Sequence, residues 1–191
     1  AYQQKPDVVQ HWLDNEYPRI AQRAWAENGE IQWGDETGMR SDSHAGRSYA
    51  PIGETPVRLV SGSRFSTNMI STVTNRGKLR FMLYREPLTA RVLMRFLSRL
   101  LRDAQGRKVF LILDNLRVHH SKKVSAWVGD RKEQIELFFL PAYAPELNPD
   151  EYLNCDLKHQ VRTGLPARNQ DELERRVRSV MRRLQLRPQR I

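Results

Sequence analysis

Three acidic residues stand where an apolar run gives out. Asp35 ends, or lies late in, a stretch in which Ile31 and Trp33 alternate with Gln32 and Gly34. Asp114 follows the unbroken apolar run Val109 to Leu113. Glu151 lies just after Pro149, downstream of a second run, Ile135 to Leu140, broken only by Glu136. Functional groups collect at the carboxyl ends of strands in α/β sheets, so carboxylates placed there can converge from distant positions. Their shared chemistry would be metal binding. Magnesium takes hard oxygen ligands and keeps part of its water shell. Two such ions roughly 4 Å apart activate an attacking oxygen and stabilise a leaving one in phosphodiester cleavage.

Each acid also has a purely local reading. Asp35 and Asp114 could each close an Asx-turn. Asn148 as N-cap, Pro149 at the first helical position and Glu151 at the third make a variant of the capping box. Capping and metal binding are compatible, because they can use different lone pairs.

The charge balance fits a polyanionic partner. Lys and Arg number 32 against 22 Asp and Glu, a formal net charge of +10 in 191 residues. Nucleic acid is the simplest partner for that excess; the alternative is a basic, solvated surface. Hydrophobic residues make up 39% of the chain, enough for one substantial core. Cys155 is the only cysteine, so neither an internal disulfide nor a zinc ribbon can be built, which fits a reducing compartment. No apolar run reaches the length of a membrane span, and the first residues lack a hydrophobic signal core. A cytoplasmic protein with no membrane partner is expected.

The elements that must position these acids follow from periodicity. Val8, Val9, Trp12 and Leu13, then Ile20, Ala21, Ala24 and Trp25, share helical faces, with a kink expected at Pro18 and a stop at Asn28-Gly29. Residues 1–29 therefore read as a helical lead-in or linker packing on a domain that spans 30–191. Strands are expected at Glu30 to Asp35, around Ser48 to Ile52, and over Arg64 to Thr74. The last pairs with Leu79 to Arg85 across the turn Asn75-Arg76-Gly77-Lys78. Thr89 should cap a helix carrying Val92, Leu93, Phe96, Leu97, Leu100 and Leu101 as one stripe, ended by Gly106. Val109 to Leu113 has the composition of a buried parallel strand. A helix near Lys122 to Lys132, the Ile135 to Leu140 strand, a helix from Pro149 and a helix over Asp171 to Leu186 complete the order. Trp12, Trp25 and Trp127 sit in apolar helical patterns and are expected in the core. An antiparallel meander followed by α-β-α-β-α is well accommodated by a mixed sheet flanked by helices, of the ribonuclease-H-like α/β type.

Three segments carry a resemblance. Trp33-Gly34-Asp35-Glu36-Thr37, Leu111 to His120, and Leu140 to Asn154 with its reading P-x-Y-x-P-x-L-N-P before the acid resemble the DDE-type transposases of the mariner superfamily, nearest their bacterial insertion-sequence relatives. The stretch Gly46 to Pro56 is similar too, with Tyr49 where tryptophan is more usual. The resemblance implies a ribonuclease-H-like fold and a two-ion magnesium site, with manganese as a substitute, completed by DNA phosphate. It implies transposon-end DNA as substrate: hydrolysis frees a DNA 3′-hydroxyl, which then attacks target DNA. It implies a homodimer on DNA and a bacterial, nucleoid-associated location. Asp35, Asp114 and Glu151 take the triad positions; Asp150 matches a position usually apolar in the family. Helix-turn-helix domains that read transposon ends have no room before Trp12.

Supporting roles are less specific. Asn115 could hold the Asp114 carboxylate or touch DNA, and a turn amide is the alternative. His119 and His120 could orient a phosphate or water, or be loop histidines; His44 is a weaker candidate of the same kind. Arg175, Arg176, Arg178, Arg182, Arg183, Arg187 and Arg190 crowd the C-terminal helix and tail. They could grip phosphates, or form a solvated face partly paired with Glu172 and Glu174. Arg40, Arg47 and Arg64 could line the same surface. Two other functions remain open: a ribonuclease-H-like nuclease with another substrate, and a non-catalytic DNA-binding module.

Overall fold

The computed structural model describes residues 4–41, 49–54, 64–162 and 167–190. The lead-in is one continuous helical rod in three parts. Pro6–His11 (α1) and Tyr17–Ala26 (α2) are joined by a π-helical turn at Trp12–Glu16. Pro18 lies in the first turn of α2, so the wide turn absorbs its missing N–H and the chain is not broken there. Asn28 (φ 49°), not Gly29, adopts the left-handed conformation that ends the helix.

Five strands follow among the described residues. They are β1 (Glu30–Arg40), β2 (Ser66–Thr74), β3 (Leu79–Tyr84), β4 (Val109–Leu113) and β5 (Ile135–Phe139). Their order across the sheet is β3-β2-β1-β4-β5. The first three pair antiparallel, as the hairpin signals predict, while β4 pairs parallel to both β1 and β5. Gly77 (φ 73°) makes the β2–β3 turn possible, and a Cβ there would lie against the Pro188 backbone. β1 runs well past Asp35, so that residue lies within the strand and not at its end. The short strand expected over Ser48 to Ile52 is absent from residues 49–52; Ser48 lies outside the described residues.

Helices cover both faces. The α3 stripe (Ala90–Asp103, capped by Thr89) and Val124 of α4 (Lys122–Gly129) pack on Ile70, Met82, Val109, Leu111 and Leu113. On the opposite face, α5 (Pro149–Arg162) and α6 (Gln170–Gln185) pack on Met39, Met69 and Leu79. Beside them Trp12, Ile20 and Ala24 of the lead-in pack on Trp33, Val73, Phe110 and Ile112. All five β4 side chains are buried, as the continuous apolar run requires. Trp12 is in the core and Trp127 is half-buried, but Trp25 is 86% exposed: it falls on the outer side of α2, away from Ile20 and Ala24.

Candidate active site

Register brings two of the acids level. Trp33 pairs with Ile112 in the parallel β1–β4 ladder. Asp35 and Asp114 are each two residues farther along, so they stand abreast. Gly34 permits the close approach of the flanking strands, since a Cβ there would meet Leu113 at 2.8 Å and Thr72 at 3.2 Å.

Helix α5 brings the third acid. Asn148 Nδ2 donates to Gly34 O at 2.9 Å, and Asn154 Nδ2 donates to Asp35 Oδ2 at 2.7 Å. Ser71, the β2 partner of Asp35, donates its hydroxyl to Asp150 Oδ2 at 2.7 Å. These polar ties fix the helix on the sheet with Glu151 between Asp150 and Asn154. Asn148 caps the helix through Asp150 N at 3.1 Å, but the capping box is only half made. The Asn148 N–H donates to Pro145 O instead, and the Glu151 carboxylate makes no hydrogen bond among the described residues. Glu151 shares a cleft of about 420 Å³ with Asp114, walled by Leu116, Leu140, Pro141 and Tyr143.

Burial and neighbouring like charge govern Asp35 and Asp150, whereas His119 governs Asp114. Asp35 is 9% exposed, and its carboxyl is pushed up to about 7, first by burial, then by Glu151 and Glu36, against the opposing Asn154 bond. Asp150, fully buried, is raised well above the carboxylate range, again first by burial and with Asp35, Glu36 and Glu151 adding to it. Asp114 behaves oppositely. Burial would raise it, but bonds from His119 and the Leu116 N–H outweigh burial and hold it low.

His119 is the hinge between two acids. Its Nδ1 lies 3.1 Å from Asp114 Oδ1 and its Nε2 lies 2.8 Å from Glu36 Oε1. Burial alone would lower its pKa; the bonds to Asp114 and Glu36 prevail and raise it to about 10. The ligand-capable atoms of Glu36, Asp114 and His119 lie within 4.8 Å of one another. Since the imidazole already bonds both acids, this set is a closed chain of hydrogen bonds and not an open cation site. It holds Asp114 in place from the α3 side of the sheet, while Asp35, on the alternate face of β1, meets α5.

The other expected residues separate. Asn115 does not hold Asp114: its amide donates to Leu140 O and its oxygen lies 3.2 Å from His120 Nε2. The Asp114 carboxylate instead accepts from Leu116 N at 3.1 Å, so the Asx-turn reading also holds. His120 lies against Phe139, with ring centroids 4.1 Å apart. Arg40 is exposed at the end of β1. Arg175, Arg182 and Arg183 are exposed on α6, while Arg176 is tied to Glu172 one turn away. Glu174 pairs with Arg85 on the strand side and not within its own helix. Arg47 and His44 lie outside the described residues. Sequence reasoning alone does not mark Glu36, Ser71, Asn148, Asp150 or Asn154 as functional. Asn154 carries a signal, since three residues past Glu151 is the same helical face.

Several known proteins share features with this chain. Residues 30–174 match the family described as DDE superfamily endonuclease. The chain superposes on the Mos1 strand transfer complex with a TM-score of 0.63 at 17% identity, covering 98% of this chain and 60% of that one. The catalytic domain of Mos1 mariner transposase gives 0.56 at 15% identity, covering 95% and 92%. A simian T-cell lymphotropic virus intasome, in complex with PP2A regulatory subunit B56 gamma, gives 0.51 at 14%, covering 80% and 48%. The likeness is one of fold, the ribonuclease-H-like mixed sheet, and this chain spans about 60% of the Mos1 chain in the strand transfer complex. No curated protein sequence matches the chain. The family match covers most of the chain and every acid discussed above, and the chain belongs to the DDE superfamily endonucleases.

Proposed function

We propose that this chain is the catalytic domain of a DNA transposase, spanning 30–191 with the 1–29 lead-in packed on it, and that it cuts transposon-end DNA and joins the freed end to target DNA. One observation carries the reading most directly. Asp35, buried on the sheet, is burdened by the charge of Glu151 and stands level with Asp114, two residues past the Trp33–Ile112 pair, while Asp114 and Glu151 share one cleft. Carboxylate oxygens are the hard donors that Mg²⁺ or Mn²⁺ prefers, and the charge of Glu151 adds to burial in raising the proton affinity of Asp35. Mos1 mariner paired-end complexes of similar fold have been solved with Mn and with Mg.

Asp35, Asp114 and Glu151 would hold the metal, in a two-ion site that DNA phosphate completes. A bound ion there would supply Lewis acidity toward the phosphodiester and toward the attacking oxygen. The protein's own part is placement. Asn154 orients the Asp35 carboxylate, and the Leu116 N–H with His119 orients that of Asp114. Glu151 keeps its carboxylate free of the helix cap. In the cutting step water adds to phosphorus and a 3′-oxygen leaves as the hydroxyl. In the joining step that hydroxyl attacks a target phosphodiester and displaces another 3′-oxygen. Two ends must meet for joining, which favours a homodimer on DNA. Arg40, Arg47, Arg175, Arg182 and Arg183 are the expected phosphate contacts, and Arg176 would have to leave Glu172 to join them.

The test is nicking and joining of matched transposon-end DNA in Mg²⁺ or Mn²⁺, with the chain fused to an end-recognition domain. Metal-dependent cleavage lost on Asp114→Asn supports the reading. Inert wild-type protein overturns it, and cleavage indifferent to end sequence transfers the chain to a nuclease of another substrate.

A further inference from the structure

A second cavity of about 420 Å³ lies at the far edge of the sheet from β5. It runs along the unpaired side of β3 between α3 and α6, and its lining includes Arg80, Arg99, Arg178 and Arg182 with Asp103 as the single acid among the described residues. Three positive charges are thus in excess there. Arg99, Arg178 and Arg182 are exposed, and none of their guanidinium groups makes a hydrogen bond or ion pair among the described residues. Unpaired arginines facing one groove repel one another, so the arrangement costs free energy that an anion would relieve.

The floor points the same way. Arg80 is 95% buried from solvent, being 5% exposed. Its Nη2 bonds Glu30 at 3.0 Å and the Asp103 carbonyl at 3.3 Å; Nε lies 4.0 Å from the Asp103 carboxylate, too far for a hydrogen bond, and Nη1 finds no hydrogen-bond partner among the described residues. Glu30 is shared with Arg107, so one carboxylate serves two guanidinium groups.

The strand edge adds neutral donors. Thr74 N donates to Lys78 O on the paired side of the hairpin, and Gln185 reaches Leu79 O from outside. By the two-residue alternation of an antiparallel ladder, the peptide groups of Phe81 and Leu83 also face outward. Their N–H groups open toward the same groove. Guanidinium forks with backbone N–H donors match the oxygens of a phosphodiester, whose bidentate geometry suits arginine.

The geometry points to this β3-edge groove as a second phosphate-binding site, gripping a DNA backbone away from the Asp35–Asp114–Glu151 cluster. Across the sheet, Asp35 pairs with Ser71 and Ser71 with Phe81, which places the groove beyond two strand spacings, about 10 Å, from the acids. The inference builds on the DNA reading above but needs no catalysis. It also sharpens the expectation for α6: Arg178 and Arg182 act, as they share the groove, whereas Arg176 is occupied by Glu172.

The test is binding of a duplex oligonucleotide of unrelated sequence in EDTA, measured over a range of salt. The Arg178→Ala/Arg182→Ala double variant should bind several-fold more weakly. It should also lower the slope of log K against log salt by about 2, roughly one for each phosphate no longer gripped. An equal charge loss at exposed Arg19→Ala/Lys132→Ala, far from the groove, should leave that slope near the wild-type value. Equal effects of the two double variants, or no effect of the groove variant, would overturn the site while leaving metal-dependent cleavage to be judged separately. Competition by a polyglutamate peptide as effective as DNA of equal charge would also overturn it, in favour of an acidic protein partner.

Discussion

Replacing Asp35 by Asn should make the metal-free protein more stable while removing a ligand from its candidate metal site. The magnitude follows from proton linkage. Asp35 ionises near 7 in the folded chain against an ordinary 3.8, with burial the largest cause and Glu151 next. Below 3.8 the carboxyl is neutral in both states and costs nothing. Between 3.8 and about 7 the unfolded chain ionises while the folded one resists, so stability falls as pH rises. Above about 7 the cost is constant, on the order of 4 kcal/mol at 1.36 kcal/mol per unit. Asparagine stays neutral and keeps an oxygen that can accept from Asn154. Thermal unfolding in EDTA at pH 8 should therefore show a higher Tm for the variant, at roughly 2–4 °C per kcal/mol for a chain of this size. At pH 5 the advantage should shrink to below about 2 kcal/mol, because the unfolded carboxyl is then only partly past its pKa. Magnesium should raise the wild-type Tm and leave the variant nearly unmoved. A variant less stable than wild type at pH 8, or a gain that does not change between pH 5 and pH 8, would refute the reasoning.

Three further outcomes are expected. Asp114→Asn should abolish metal-dependent cleavage and cost about 1–3 kcal/mol in urea unfolding, because Asn can still accept from Leu116 N but no longer offers a charge to the buried His119. His119→Ala should cost about 2–4 kcal/mol, since it strands Glu36 at 12% exposure without its partner. The folded His119 pKa is raised to about 10 from 6.5, so this stabilisation is full below 6.5 and lost as pH rises through 10; urea midpoints of wild type and variant should converge there. Gly34→Ala should destabilise by about 1–3 kcal/mol through contact with Leu113 and Thr72, and should also lower cleavage by displacing Asp35; far-UV melting and activity check both.

Much of the frame is legible in the sequence because it depends on local periodicity. Asn75-Arg76-Gly77-Lys78 announces the β2–β3 hairpin, and apolar spacing from Val92 to Leu101 announces the α3 stripe. The Val109 to Leu113 run announces a strand buried on both faces. The differences have physical reasons too. Trp25 obeys the helical pattern but falls on the solvent side, because a single rod lying on one face of a sheet buries only the side that carries Trp12, Ile20 and Ala24. Asp35 reads as a strand end because the apolar alternation stops there. β1 continues because polar Glu36, Thr37 and Gly38 are held by backbone pairing with β2, a contribution side-chain hydropathy does not register. Asp150 looks like an ordinary first-turn acid, and only docking on Ser71 makes it a fully buried carboxyl.

By itself, the chain's sequence determined which acids could take part. Their strand and helix contexts and the proline-rich approach to Glu151 are written in consecutive residues. Tertiary structure decided what state those acids are in. It set Asp35 abreast of Asp114, delivered Asn154 and Asp150 from α5, and turned Glu36 toward His119 on the other face. A carboxylate's proton affinity depends on its distance from other charges and from water, and neither is a property of neighbouring residues along the chain. Asp35 held high and Asp114 held low are the same functional group, separated only by what packing put beside each.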